Sequence, residues 1–325
     1  MNYKYLFGPV PSRRLGISLG VDLVPFKTCT FNCVYCECGK TTDLTTRRKE
    51  YVPTKQVIAE LRDYLDTRPQ LDFVTLSGSG EPTLHSRIGE VVHFLKEAYP
   101  DYRICLLTNG SLFSAEDMRR EVMSVDLIIP SLDAVSDAAF RKINRPWPTL
   151  DPREIIDGLI SLRREYTGAI WLELFIVPSV NDEKPEIVLL KEAIQKIRPD
   201  KVQLNALDRP GTEDWVRPAS RKELEIIASY LAEESVEIIA GFTPKKKMAA
   251  FDKDIANAIL STIKRRPCTA QDLSAVLGLH VNELNKYIHT LLEQNSIETN
   301  KSKRGLFFRA CAKTNESSRI SVKTI

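Results

Sequence analysis

The chain has 325 residues, 43% hydrophobic and 27% charged, with a formal net charge of +3. That is long for one compact domain and short for three, with enough apolar residues for a packed core. No apolar run is long enough to cross a bilayer, and Met1–Leu6 has no signal-like apolar segment. A cytoplasmic protein without membrane contact is therefore expected. The seven cysteines are odd in number and partly clustered, which argues against a disulfide framework.

Residues 1–16 read as a turn-rich surface loop carrying Arg13 and Arg14. A strand over Ile17–Val24 follows, delivering the chain to Cys29-Thr-Phe-Asn-Cys33-Val-Tyr-Cys36. Lys27 stands just before this run. Thiolates are soft ligands, and such spacing suits an iron–sulfur cluster or zinc. Three ligands on one loop leave one iron of a four-iron cluster open. Zinc would need a fourth ligand, and Cys38 is near enough to supply it.

Short apolar runs then alternate with helical patterns. Strands are expected at Asp72–Leu76, Arg103–Leu107, Asp126–Ile129, Ile170–Val177, Lys201–Asn205 and Val236–Ile239. Helices are expected from Thr54, over Arg87–Ala98, over Ala115–Met123, from Asp151 to about Glu165, over Lys184–Ile197, and from a Ser220–Glu223 capping box to Leu231. Strands separated by helices imply a parallel sheet. Periodicity leaves a partial barrel, a full barrel and a doubly wound sheet all open.

Residues 241–253 read as a linker, and from there the texture changes. Helical patterns at Ile255–Ile263, Thr269–Leu277 and Val281–Leu292 precede a hairpin around Lys301–Gly305. This order resembles a winged helix over 254–312, and the polar tail 313–325 is expected to be disordered. From Asp254 onward there are 11 Lys and Arg against 6 Asp and Glu. That excess permits a nucleic-acid partner.

Ligand sites in parallel β/α folds gather where strands end. The second strand runs into Ser77-Gly-Ser-Gly-Glu-Pro82, the third into Thr108-Asn109-Gly110 and the fourth into Ser131-Leu-Asp133. Glu173 interrupts an apolar strand and needs a partner there, either a ligand or a buried ion pair. Arg145 is a candidate substrate-side cation. Gln203 and Asn205 face either substrate or a polar network. His85, His93, His280 and His289 show no metal spacing.

The cysteine run, with Tyr35 before its last cysteine and Gly-Ser-Gly-Glu-Pro about 45 residues later, resembles the radical SAM superfamily. Gly8–Gly16 resembles the opening of a subgroup related to wybutosine-pathway tRNA enzymes, and within that resemblance Arg13 and Arg14 would hold an anionic substrate or the SAM carboxylate rather than stand solvated on a surface loop. The resemblance covers roughly residues 8–240. It implies a partial (β/α)6 barrel over residues 1–240 and a [4Fe–4S] cluster on Cys29, Cys33 and Cys36. It also implies S-adenosylmethionine (SAM) held by Tyr35, Gly78, Gly80, Glu81, Pro82, Asn109, Ser131, Asp133 and Glu173. In that family the reduced cluster cleaves SAM to methionine and a 5′-deoxyadenosyl radical, and a ferredoxin or flavodoxin supplies the electron. The resemblance points to an RNA substrate such as tRNA, or a protein, docked by the C-terminal segment. The wybutosine enzymes carry a second cluster for which this chain has no evident ligands, so wybutosine synthesis itself is not expected. A peptide- or small-molecule-modifying radical enzyme and an iron- or redox-sensing DNA regulator are the alternatives.

Overall fold

The computed structural model describes residues 3–12, 14–208, 210–231, 235–239, 255–277, 279, 281–302 and 304–311. The expected linker 241–253 and tail 313–325 lie outside them, as do Arg13, His280 and Lys303. One sheet of eight strands forms the centre. Its spatial order is Leu6–Ser12, Gly16–Asp22, Phe73–Ser77, Ile104–Thr108, Leu127–Pro130, Ala169–Ile176, Lys201–Ala206 and Val236–Ile238. The last seven pair in parallel, each beside its sequence neighbour. A doubly wound sheet would reverse its order at a switch point. This sheet never does, so it is an α/β partial barrel.

The first strand corrects the sequence reading. Leu6–Ser12 is not a surface loop but an antiparallel edge strand on Gly16–Asp22, with its register slipping between Phe7 and Val10. Prolines hid it. An edge strand tolerates proline because the missing donor faces no neighbour.

Helices cover the outer face. In Pro152–Glu165, Asp151 caps the Arg153 N–H at 2.8 Å and Pro152 opens the first turn. Ile155, Ile156, Leu159 and Leu162 turn inward from that helix. They meet Leu172, Leu174 and Ile176, the outward residues of the strand Ala169–Ile176. The period of two sends Trp171, Glu173 and Phe175 to the barrel interior. There Leu15, Phe73, Cys105, Leu127 and Ile129 plug the lower end. Truncating one such core leucine costs roughly 2–5 kcal/mol.

A second apolar cluster lies further along the chain. Ile259, Ile263, Leu273, Leu284, Ile288 and Phe308 pack together from the helices Ile255–Arg265, Ala270–Leu277 and Val281–Glu293 and a three-stranded sheet. That sheet joins Cys268–Thr269 and Ile297–Ser302 to either side of Gly305–Ala310. Val10 of the first barrel strand packs into this cluster.

His85 is fully buried in the barrel part of the chain. Its Nδ1 accepts the Tyr51 N–H, so its Nε2–H donates to the Thr54 hydroxyl. Burial pulls its pKa down to about 4 from 6.5. A lowered histidine pKa means the unfolded chain takes up the proton first as the pH falls. The stabilisation is complete above pH 6.5 and is lost toward pH 4. Between pH 7 and pH 5 the protein is expected to lose about 1–2 kcal/mol that His85→Asn does not lose. Urea denaturation of both at each pH measures the difference.

Candidate functional site

The cysteine loop leaves the strand Gly16–Asp22 at its carboxyl end and so crosses the barrel mouth. Neighbouring backbone pins it at several points. Thr28–Cys29 pairs with Asp43–Leu44. The Asn32 N–H donates to the Asn144 carbonyl, Val34 N–H to Ile143, and Trp147 N–H to Thr30. The Glu81 N–H reaches the Thr28 carbonyl at 3.0 Å.

Each of the three sulfurs meets an N–H donor from a different part of the chain. Asn109 Nδ2 lies 3.7 Å from Cys29 Sγ, Asn144 Nδ2 lies 3.5 Å from Cys33 Sγ, and Lys27 Nζ lies 3.0 Å from Cys36 Sγ. Among the described residues, no three His, Cys, Asp or Glu side chains converge as a single-ion site would require. Burial, then the Glu81 carboxylate, pushes the Cys29 thiol up to about 12. Burial and Asp133 push Cys33 up as well. Cys36 is lowered, first by a hydrogen bond from Cys38 and then, against burial, by the Lys27 ammonium.

Lys27 was legible only as a lysine near the motif. It is 3% exposed and left-handed, with φ 58°. Its carbonyl accepts the Thr42 and Asp43 N–H groups. Burial would lower its pKa, but the Cys36 and Cys38 sulfurs outweigh that and hold it charged. A buried cation beside a ligating sulfur favours the more negative, reduced state of a cluster. Lys27→Met is expected to lower the reduction potential by on the order of 60 mV, tenfold in a one-electron equilibrium. A potentiometric titration followed by EPR checks this.

Glu81 and Asp133 are both buried, and protein donors satisfy them. The Glu81 carboxylate accepts from Thr83 N, Thr83 Oγ1, Thr108 Oγ1 and Asn109 N, between 2.6 and 3.1 Å. It ties the second parallel strand's loop to the third. Asp133 accepts from the Tyr35 hydroxyl at 2.6 Å, Asn144 Nδ2 at 2.7 Å and Phe175 N at 2.9 Å. The Tyr35 ring stacks on Phe175 at 3.8 Å. These carboxylates brace the loops, each held by several donors of the chain itself.

The glycines have packing reasons. Gly78 has φ +130°, and a Cβ there would lie 1.7 Å from Asp22 Oδ1. A Cβ on Gly80 would lie 2.0 Å from the Thr28 carbonyl oxygen. They let Ser77–Glu81 press against the end of the strand Gly16–Asp22 and the cysteine loop after it. Pro82 opens a short 3₁₀ turn, Pro82–Leu84. Asn109 also donates to Thr30 Oγ1 at 2.7 Å. Asn109, Ser131, Asp133 and Asn144 line one small cavity.

Glu173 belongs to the barrel interior. It forms an ion pair with Arg14 and accepts from Asn205 Nδ2 at 3.0 Å. Gln203 donates to Glu237 at 3.4 Å. Arg145 pairs with Glu213 at 2.6 Å. Asn144 and Asp22 gave no sequence signal, because their importance lies in which distant groups they meet.

Comparison with known proteins identifies the family. The family model described as the radical SAM superfamily matches residues 23–190. A UPF0026 protein of Helicobacter pylori strain J99 is 30% identical over 306 residues, covering 92% of this chain and 96% of that protein. A "GTPase Obg" of Brachyspira hyodysenteriae is 32% identical over 90% of this chain, which spans only 43% of that protein's length. Among solved structures, a radical SAM methyltransferase from Sphaerobacter thermophilus has the same fold. Its TM-score is 0.51 at 20% identity, covering 68% of this chain and 66% of that one. The chain belongs to the radical SAM superfamily, whose members use a [4Fe–4S] cluster and S-adenosylmethionine.

Proposed function

We propose that Cys29, Cys33 and Cys36 hold three irons of a [4Fe–4S] cluster, leaving the fourth for SAM. The observation that carries this reading is one loop presenting three sulfurs, each with its own N–H donor. The donor set fits such a group, because N–H groups beside thiolates offset the charge of a cluster. Asn144 Oδ1 fits as well. It is buried with no partner among the described residues, an acceptor suited to an O–H or N–H of bound SAM.

When bound, cluster and SAM supply the one-electron cleavage of the sulfonium to methionine and a 5′-deoxyadenosyl radical that removes a hydrogen atom from substrate. The chain's own residues hold and orient these groups. Gly78 and Gly80 offer close backbone, while Asn109 offers an amide beside Cys29 Sγ and Ser131 lines the same small cavity as Asn109. Glu81, Pro82 and Asp133 fix those loops, and Tyr35 against Phe175 keeps water from the site. Glu173 acts through Arg14 from the barrel interior.

The same reading makes residues 1–240 the catalytic barrel and 241–253 a linker. It makes 254–312 a winged-helix-like docking unit of a cytoplasmic enzyme served by a ferredoxin or flavodoxin. The subgroup resemblance supports tRNA as substrate. Exposed Lys264 and Lys301 are charges available to phosphate, whereas Arg265 and Arg304 pair with Asp22 and Asp208. The test is anaerobic: reconstitute, reduce, add SAM and quantify 5′-deoxyadenosine with and without bulk tRNA. Cleavage that rises with tRNA supports this substrate. Cleavage indifferent to tRNA points to proteins or small molecules. No cleavage by a fully loaded cluster sinks the enzyme reading in favour of a sensor.

A further inference from the structure

The cysteine loop is walled unevenly. Over its second half it lies beneath other parts of the barrel. The Val34 N–H donates to the Ile143 carbonyl, the Val34 carbonyl accepts the Glu213 N–H at 3.1 Å, and the Cys36 carbonyl accepts the Thr212 hydroxyl at 3.1 Å. On the side of Cys29 the cover is an extended strip, residues 40–49. Thr42 and Asp43 donate their N–H groups to the Lys27 carbonyl, and Thr45 donates to the Cys29 carbonyl at 3.0 Å. The Thr41 hydroxyl donates to the Phe31 carbonyl at 2.7 Å. The strip is thus pinned to the loop through its backbone, while Lys40, Thr42, Asp43 and Arg47 are exposed.

The outer surface has the make-up of a protein contact. Phe26 stands beside the strip, its carbonyl 3.4 Å from the Thr42 hydroxyl, and is 53% exposed. An aromatic group ringed by charge is the usual anatomy of an interface. The ring of charge is basic. Lys40, Arg47 and Lys49 are exposed, and Asp43 is the only acidic side chain within residues 40–49. Lys40 remains 70% exposed although Glu213 lies 3.9 Å away. Arg48 belongs to Glu121 at 2.7 Å, and the following Glu50 to Arg87 at 3.1 Å. A phosphate backbone is uniformly anionic and would be repelled by Asp43. A protein surface can meet Asp43 and Phe26 with polar and apolar groups of its own.

The strip is also a short way to the sulfurs. Phe26 is bonded to Lys27, whose ammonium lies 3.0 Å from Cys36 Sγ. One hydrogen bond, from Thr45 to Cys29, separates the strip from a sulfur-bearing residue. Electron transfer slows steeply with distance, so a carrier has to sit close to the group it reduces.

We infer that Phe26, Lys40, Arg47 and Lys49 form the docking surface for a small acidic one-electron carrier protein. The carrier is oxidised by one electron and the cluster is reduced by one, with no bond made or broken. The need for that electron rests on the radical SAM reading; the docking is measured without it.

The probes are a flavodoxin and a plant-type ferredoxin, each in its reduced form. Fluorescence anisotropy reads their binding to the anaerobically reconstituted protein, and stopped-flow absorbance reads how fast each reduces the cluster. Lys40→Glu combined with Arg47→Glu is expected to weaken binding and slow reduction about tenfold at low ionic strength, the gap closing as salt is added. Phe26→Ala is expected to weaken binding at low and high salt alike. Reduced methyl viologen, a small cation that needs no docking, is expected to reduce the charge-reversed protein no more slowly than the parent. Carriers that bind neither protein, or bind both equally, overturn the inference. So does a reversal that slows methyl viologen as much as the carrier, or one that weakens tRNA binding as much as carrier binding. A cluster that the carrier reduces but that never cleaves SAM refutes the radical reading alone. Where no cluster assembles, the anisotropy still decides the docking.

Discussion

Alanine at Cys29, Cys33 or Cys36 is expected to abolish SAM cleavage, while alanine at Cys38 is expected to retain it. Each of the three sulfurs is the sole protein ligand to one iron in the proposed cluster. Losing one leaves two ligands on a loop whose backbone is fixed by Thr28, Asn32 and Val34. The loop cannot shift to bring Cys38 into the vacant place. Iron and sulfide content should fall well below four per chain, and 5′-deoxyadenosine formation by a thousandfold or more, roughly 4 kcal/mol of activation free energy. Cys38 neighbours Cys36 and lines a cavity beside the loop. Its loss should cost little cluster. The zinc alternative makes the opposite forecast: Cys38→Ala would release the metal, and the purified protein would carry one zinc and no sulfide.

Asp133→Ala is expected to be the most destabilising change at the site outside the cysteines. It removes the acceptor shared by Tyr35 Oη, Asn144 Nδ2 and Phe175 N and leaves three donors buried. Orphaned donors cost about 1–3 kcal/mol each when they cannot reach water. Partial relaxation makes about 3–5 kcal/mol the expected loss, read from denaturant midpoints. Asn144 also donates to Cys33 Sγ, so freeing it should change the EPR line shape of the reduced cluster. Asp133→Asn keeps one acceptor and should lose less than half as much stability. If Asp133→Ala is as stable as the parent protein, Asp133 does not brace the loop.

The sequence carried the local information well. Strand and helix positions follow from period-two and period-3.6 patterns, and the ends of Pro152–Glu165 from Asp151 and Pro152. The edge strand Leu6–Ser12 was missed because its glycine and prolines read as a turn. The cysteine run could be read as a metal site because ligand chemistry is written in residue type and spacing. Glu173 could be read only as a carboxylate in need of a partner. Arg14 and Asn205 supply that need, and neither is adjacent in sequence.

The sequence by itself determined a parallel β/α fold with three thiols at a strand end and a basic segment after it. These are properties of neighbouring residues, set by periodicity and by side-chain chemistry. Only the tertiary structure decided that the strands wind in sequence order, because pairing order leaves no mark on periodicity. Only it decided which donors face each sulfur and that Arg265 closes on Asp22, 243 residues away in the chain. Such contacts are fixed by packing, where burial makes an unpaired charge or amide costly and so selects its partner from whatever the fold brings within reach.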